Sequence, residues 1–263
     1  MPSTQDALAV DIMGGVEHVA KQHDYHVVFA FTQNQPEQET LDIQRMRRQH
    51  VAGLVVFPVS NLTRDETIVA LVSDDMPLAL VDRYFPDLPT DVVTVDNFGG
   101  GHMLTRHLVD LGHRRIGFVT PDDLTTTSVR DRFQGYRRAL DEHHLTYEDR
   151  LFLRIPGDLT GYLQAADRPT AVFAANDFTA IEVIRAANAL GLRVPEDLSV
   201  VGFDDIREAS QLSVPLTTVR QSGRKVGQRA CELLLERLVT GRRTPKHEVL
   251  PVQLIVRRSS GAK

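Results

Sequence analysis

Apolar, β-branched runs alternate with helix-period segments along almost the whole chain, and this alternation constrains the fold more than any other feature of the sequence. The strand candidates are HVVFAF (26–31), GLVVFP (53–58), PLALVD (77–82), VVTVD (92–96), RIGFVT (115–120), TAVFAAN (170–176), LSVVGF (198–203) and LPVQLIV (250–256). Several are continuously apolar, which is the pattern of parallel strands buried on both faces. Between them, Leu8, Ile12, Val16 and Val19 fall on one helical face, as do Met103, Leu104, His107, Leu108 and Leu111. Val129, Phe133, Tyr136 and Leu140 form a third stripe, and Val226, Ala230, Leu233 and Leu234 a fourth. Alternating β and α segments separated by turn residues predict an α/β chain with doubly wound parallel sheets. Ligands of such sheets sit beyond the carboxyl ends of the strands, so strand-end residues are the first candidates for a site.

The length, 263 residues, suffices for one large domain or two lobes with separate cores. A formal net charge of −5 has the wrong sign for a chain that holds DNA by itself, so any contact with DNA has to come from another domain. The single cysteine, Cys231, lies in the amphipathic stretch VGQRACELLLERL and reads as a core thiol. No Cys/His spacing suits zinc, and the absence of a disulfide framework favours a reducing compartment. The amino end, MPSTQDALAVD, has neither the charged nor the apolar region of a signal peptide. No 18-residue apolar run is present to cross a membrane.

Polar residues stand out at two predicted strand ends: Asn176 and Asp177 after AVFAA, and Asp204 and Asp205 after VVGF. Asp177 reads as the N-cap of the helix FTAIEVIRAANALG and Asp205 as the cap of the short helix IREAS. That assignment frees Asn176 and Asp204 to face a crevice; the competing reading makes both ordinary turn residues. Arg132 enters a helix from the loop PDDLTTT, one residue before Phe133. A guanidinium, an amide and a carboxylate together offer paired donors and acceptors that bridge adjacent hydroxyls, so the three suit a polyhydroxylated ligand. Enzymatic signatures are missing: the chain has no G-x-S-x-G, H-E-x-x-H or P-loop pattern. GGGH (99–102) does not match G-x-G-x-x-G and reads as close helix packing. His102, His107 and His113 share no metal-binding face, and the neighbouring carboxylates of Asp204 and Asp205 diverge too much to straddle one bond. No metal, no cofactor and no catalytic residue is expected.

The run FAANDFTAIEVIRAANALGLRVPEDLSVVGFDDIREASQLSVPLTTVRQSGRKVGQRACELLLERL closely resembles the effector-binding domain of the LacI/GalR family of transcription regulators. The ANDxxA block, GLRVPEDLSVVGFDD and PLTTV in that order carry the resemblance. VDNFGGGHMLTRHLVDLGHRRIGFV (95–119), RFQGYRRAL (132–140) and LPVQLIVRRSS (250–260) extend it to roughly residues 6–260. It implies two Rossmann-like lobes with parallel sheets, like type I periplasmic binding proteins, with the effector between them and crossovers near 112–115, 218–221 and 248–250. The lobes are then residues 1–112 with 220–248, and 113–219 with 249–263. The family's effector contacts fall on Arg132, Asn176 and Asp204, the residues that the chemistry also selects. Asp96, Phe98 and Arg83 lie at other strand ends that line the implied cleft, although Arg83 reads equally as an ion pair with Asp82. Ile181 and Leu212 fall on faces that contribute to self-association in the family; their alternative reading is ordinary core.

Two departures bear on function. The family's amino-terminal DNA-binding head is not in the sequence, which leaves its type, helix-turn-helix or winged helix, open. The apolar run that forms the first strand of the family's effector domain is missing as well, since DALAVDIMGGVEHV follows only five residues. That strand is normally central, so its loss predicts a gap between 26–31 and 53–58 and favours a true start upstream of Met1. The expected function is the effector-sensing and dimerising part of a cytoplasmic, sugar-responsive repressor. It binds a small sugar and alters DNA binding by an attached head. The alternative is a free-standing sugar-binding protein of a transport system.

Overall fold

The computed structural model describes residues 1–3, 6–59 and 66–263. The chain divides into two compact units, one formed by Met1–Val95 with Ser222–Leu250 and the other by Asp96–Gln221 with Pro251–Lys263. Each has its own parallel sheet.

In the first unit, α1 (Ala7–Gln22) begins at Asp6, whose carboxylate accepts from the Ala9 N–H, and buries Ile12, Val16 and Val19. α2 (Pro36–Arg48) opens on a proline, where a missing N–H costs nothing. It is followed by β1 (Leu54–Val56), α3 (Glu66–Ser73), β2 (Leu78–Val81) and β3 (Asp91–Val95). The second unit contains α4 (Asn97–Asp110), β4 (Ile116–Thr120), α5 (Thr127–Glu142) and β5 (Phe152–Arg154). It continues through α6 (Leu159–Gln164), β6 (Ala171–Ala174), α7 (Asp177–Ala189), β7 (Ser199–Val201) and β8 (Thr218–Arg220). The chain then returns to the first unit for α8 (Gly223–Thr240) and β9 (His247–Leu250), and to the second for β10 (Gln253–Ile255).

The first sheet runs β1-β2-β3-β9 and the second β5-β4-β6-β7, every pair parallel; β8 and β10 form a small antiparallel ribbon. β2, β3, β4, β6 and β7 are buried along their whole length, as continuous apolar runs require. In the second unit Phe118 is fully buried on the central strand β4, with the rings of Phe133, Tyr136, Phe152 and Phe173 around it at 5.0–6.1 Å. Cys231 is a free, buried thiol whose pKa burial pushes up to about 11, as suits a core residue. Among the described residues no helix is long and apolar enough to cross a membrane.

Three expectations need correction. The run 26–31 forms no strand and leaves Val28 59% exposed. Pro251 breaks 250–256 into two strands that belong to different units. The first unit ends at Val95 rather than at residue 112, because α4 packs along α5 and so joins the second unit.

Candidate ligand site

The second unit gathers its candidate residues around one guanidinium. Arg132 lies in the second turn of α5 and is almost completely buried. Two glycines let α5 cross α4 at close range. A Cβ on Gly101 would stand 2.2 Å from the Arg132 carbonyl oxygen, and one on Gly135 would stand 2.1 Å from that of Phe98. No other residue type fits that crossing, so GGGH and the glycine of FQGYRR fix where α5 presents Arg132. The packing reading of the glycine run therefore holds.

Each edge of the guanidinium has a partner. Nε donates to Asn97 Oδ1 at 2.8 Å and one terminal nitrogen donates to the Ala175 carbonyl at 2.7 Å. The other terminal nitrogen stands 3.7 Å from Asp204 Oδ1. The plane lies 3.8 Å from the centre of the Phe203 ring, close enough for a cation–π contact. A group held on three sides and one face cannot swing; it presents a fixed fork.

Asp204 is held just as firmly, by its backbone. Its φ is +121° and that of Asp205 is +58°, values that side-chain-bearing residues adopt at a cost of about 1–3 kcal/mol. The Asp204 N–H donates to the Val219 carbonyl at 2.8 Å, so the strained residue is stitched to β8. Gln221, just past β8, donates its amide to Asp204 Oδ1 at 2.6 Å. Asp205 points elsewhere, to Arg220 and Arg257, each at 2.6 Å. It caps no helix, contrary to the sequence reading: the 3₁₀ turn Arg207–Ser210 starts at Ile206 without a side-chain cap. The tandem aspartates thus split into one anchored by two arginines and one facing Arg132.

The roles of the other tandem pair are exchanged. Asn176, not Asp177, is the N-cap of α7, its Oδ1 accepting from the Thr179 N–H at 2.8 Å. Asp177 is fully buried and accepts from the Thr218 hydroxyl at 2.6 Å and from the Ile206 N–H at 2.9 Å. Burial pushes its carboxyl well above the usual range, and those two donors only partly offset this. Capping uses the oxygen of Asn176 and leaves its amide nitrogen out of that bond.

Asp96 caps α4 by accepting from the Gly99 N–H at 2.7 Å, and Phe98, in the first turn of that helix, is 44% exposed. Arg83 belongs to the first unit, 3.7 Å from Asp82, with the Phe57 ring centre 5.4 Å from its guanidinium carbon. It is not part of the cluster within the second unit. Ile181 and Leu212 are half-buried. Sequence reasoning missed Asn97, Phe203 and Gln221. Asn97 and Phe203 adjoin residues that were selected, but only the fold reveals that they hold Arg132. Nothing in TTVRQ signals that Gln221 meets Asp204. Among the described residues no group of three or more His, Cys, Asp or Glu side chains could hold a metal ion. The site is instead a neutralised pair, Arg132 and Asp204, flanked by amides, a set suited to hydroxyls and other groups that both donate and accept.

Comparison with known proteins shows the family of the chain. The family described as periplasmic binding protein-like domain matches residues 105–260. The HTH-type transcriptional repressor PurR of Haemophilus influenzae (strain PittEE) is 33% identical over 235 residues, covering 87% of this chain and 69% of that protein. The ribose operon repressor of Haemophilus influenzae (strain ATCC 51907 / DSM 11121 / KW20 / Rd) is 30% identical over 264 residues, 98% of this chain and 78% of that protein. Among solved structures, a complex of the transcriptional regulator CelR with cellobiose superposes with a TM-score of 0.85 at 28% identity, covering 96% of this chain and 79% of that one. These relatives are transcriptional regulators, not enzymes.

Proposed function

Because this chain belongs to the LacI/GalR family of transcriptional regulators, we propose that it is the effector-binding part of a repressor whose Arg132, Asn176 and Asp204 hold a small sugar or related polyhydroxylated ligand. The observation that carries the reading is the standoff of Arg132 and Asp204 at 3.7 Å, each already fixed by Asn97, Ala175 and Gln221. A vicinal diol bridges such a pair, donating to the carboxylate and accepting from the guanidinium, without displacing the groups that hold them. Exposed Phe98 supplies an apolar face for a sugar ring. The names of two relatives, a ribose operon repressor and a cellobiose-bound regulator, point to the same class of ligand.

In this reading the protein works in the cytoplasm as a homodimer, with Ile181 and Leu212 at the subunit contact. Ligand shifts the arrangement of attached DNA-binding heads by its differential affinity for two states. The cellular alternative, a sugar-binding protein of a transport system, shares the fold but not the repressor relatives.

Calorimetric titration with a panel of pentoses, hexoses and disaccharides tests the site. Asp204→Ala and Arg132→Ala are each expected to weaken the best ligand roughly 10- to 150-fold, the loss of one hydrogen bond to a charged group. Asn176→Asp keeps the helix cap but loses the amide donors, so it separates binding from stability. Undiminished affinity in all three variants, each folded, removes the assignment.

A further inference from the structure

The second unit contains an ion pair that stops short of closing. Where other enclosed arginines meet carboxylates from distant parts of the sequence, they close. Arg257 lies 2.6 Å from Asp205, and Arg237 and Arg242 lie 2.7 and 2.8 Å from the fully buried Asp91. These are the lengths of charge-assisted hydrogen bonds. Arg132 and Asp204 are as enclosed, with side chains 6% and 15% exposed, yet their nearest atoms stay 3.7 Å apart. Opposite charges in such surroundings attract strongly, so each has to be held back.

On the arginine side the restraint is the set of bonds it already makes. Nε is committed to Asn97 at 2.8 Å and a terminal nitrogen to the Ala175 carbonyl at 2.7 Å, with the plane against the Phe203 ring. On the aspartate side the restraint is Gln221. The oxygen that faces Arg132, Oδ1, is the one that accepts from the Gln221 amide at 2.6 Å. Gln221 is only 8% exposed, so its side chain has little room to follow a moving carboxylate. Two residues earlier, the Val219 carbonyl accepts from the Asp204 N–H at 2.8 Å. β8 and the residue after it thus grip Asp204 by backbone and side chain at once.

The residue type matters as much as the place. An amide donates a hydrogen bond but carries no charge, so it positions a carboxylate without neutralising it. Asp205 shows the alternative one residue away, where Arg220 and Arg257 both close on the carboxylate at 2.6 Å. A cation at position 221 would use up Asp204 in the same way, and a glutamate would repel it.

We propose that Gln221 is a positioning residue: it holds the Asp204 carboxylate back from Arg132 and so keeps the pair open to a hydroxyl group. It acts through Asp204 rather than on the ligand. The inference rests on the reading of Arg132 and Asp204 as ligand contacts. A hydroxyl then enters between two charges without first breaking a closed ion pair.

Gln221→Leu removes the donor at similar volume, and Gln221→Met, which keeps the length of the side chain, replaces it if the leucine variant does not fold. Ribose, glucose and cellobiose are the calorimetric probes. A sugar that the unaltered protein binds should bind the variant at least roughly tenfold more weakly, the loss expected for one hydrogen bond to a charged group. In an Asp204→Asn background the bond from Gln221 survives but the closing charge does not. There the same substitution should change affinity less than about twofold. A second readout needs no sugar: the Asp204 carboxyl is titrated by carbon-13 NMR in the ligand-free protein. Loss of the amide donor alone raises its midpoint, whereas closure onto Arg132 lowers it, so the midpoint should fall in the variant. Unchanged affinity in the variant, an equal loss in the Asp204→Asn background, or a raised midpoint overturns the role of Gln221. If no probe binds the unaltered protein, the sugar reading falls, and the direction of the midpoint alone decides for or against Gln221.

Discussion

Both units alternate helices with the strands of a four-stranded parallel sheet, yet in the first the strand-like segment 26–31 stays outside that sheet. Phe118 stands on β4 among four aromatic rings, whereas the first unit has a cavity of about 210 Å³ between β1 and the segment 26–31, which has strand composition but forms no strand. The difference shows what a parallel strand requires. β5 and the segment 26–31 are both short; β5 is a strand because β4 offers it a three-residue ladder, whereas 26–31 meets Met1 at Ala30. β-Propensity expresses fit to a neighbour more than an intrinsic backbone preference.

Removing the centre of the second unit's sheet gives the largest expected effect. Phe118→Ala, which empties the middle of the ring cluster, should destabilise the second unit by about 3–5 kcal/mol in denaturant unfolding. Val28→Ala in the first unit should cost about 0.5 kcal/mol or less, because that side chain is 59% exposed. Comparable losses for the two variants would end the contrast between the units.

Next in size is the anchoring aspartate of the site. Asp205→Ala leaves Arg257, mostly buried, without its carboxylate and should cost about 3 kcal/mol. It should also release the strained φ of Asp204 and so weaken ligand binding without touching ligand. A stable Asp205→Ala protein with normal affinity would show that Asp204 is held without Asp205, with the Val219 and Gln221 bonds in place. Gly135→Ala follows, at about 1–3 kcal/mol, since its Cβ meets the Phe98 carbonyl. Circular dichroism on heating checks both, and the loss should be confined to the second unit.

The difference between the units also explains how much of the molecule its sequence revealed. Seven of the predicted runs became strands because their neighbours were elsewhere in the same sequence. The run 26–31 did not, although its pattern is as good as that of 53–58. The gap beside 26–31 was expected only from the family resemblance, not from the pattern of the runs themselves. At the site, Arg132 and Asp204 were selected from helix-entry and strand-end positions, and the fold places them 3.7 Å apart. Which member of each tandem pair does what was not legible. Both Asn176 and Asp177 can cap a helix; burial of Asp177 against Thr218 and Ile206 decides between them, and that contact joins positions about 30 to 40 residues apart. Gln221 was missed for the same reason.

The smallest effects concern protons, and they distinguish the units once more. In the second unit His113 is buried at the carboxyl end of the chain, its ring nitrogens 2.9 Å from the Thr170 hydroxyl, 3.0 Å from that of Ser199 and 3.1 Å from the Gly261 carbonyl. Desolvation lowers its pKa below 6.5; the Gly261 carbonyl opposes the shift, and Lys263 and His107 add to it. In the first unit desolvation lowers the Met1 ammonium below 8.0, with Glu39 and Asp42 opposing. Both groups bind a proton more readily unfolded than folded, so each contributes stability at high pH that is lost as pH falls below its unfolded value. The loss should begin below pH 8 for the first unit and only below pH 6.5 for the second, read unit by unit from hydrogen exchange. NMR titration of the His113 ring should give a midpoint under 6.5, and a higher one would mean that the carboxyl-terminal tail does not seal it from water. An apolar extension at Met1 turns the ammonium into a peptide N–H, so it should abolish the first unit's step and leave that of His113 in place.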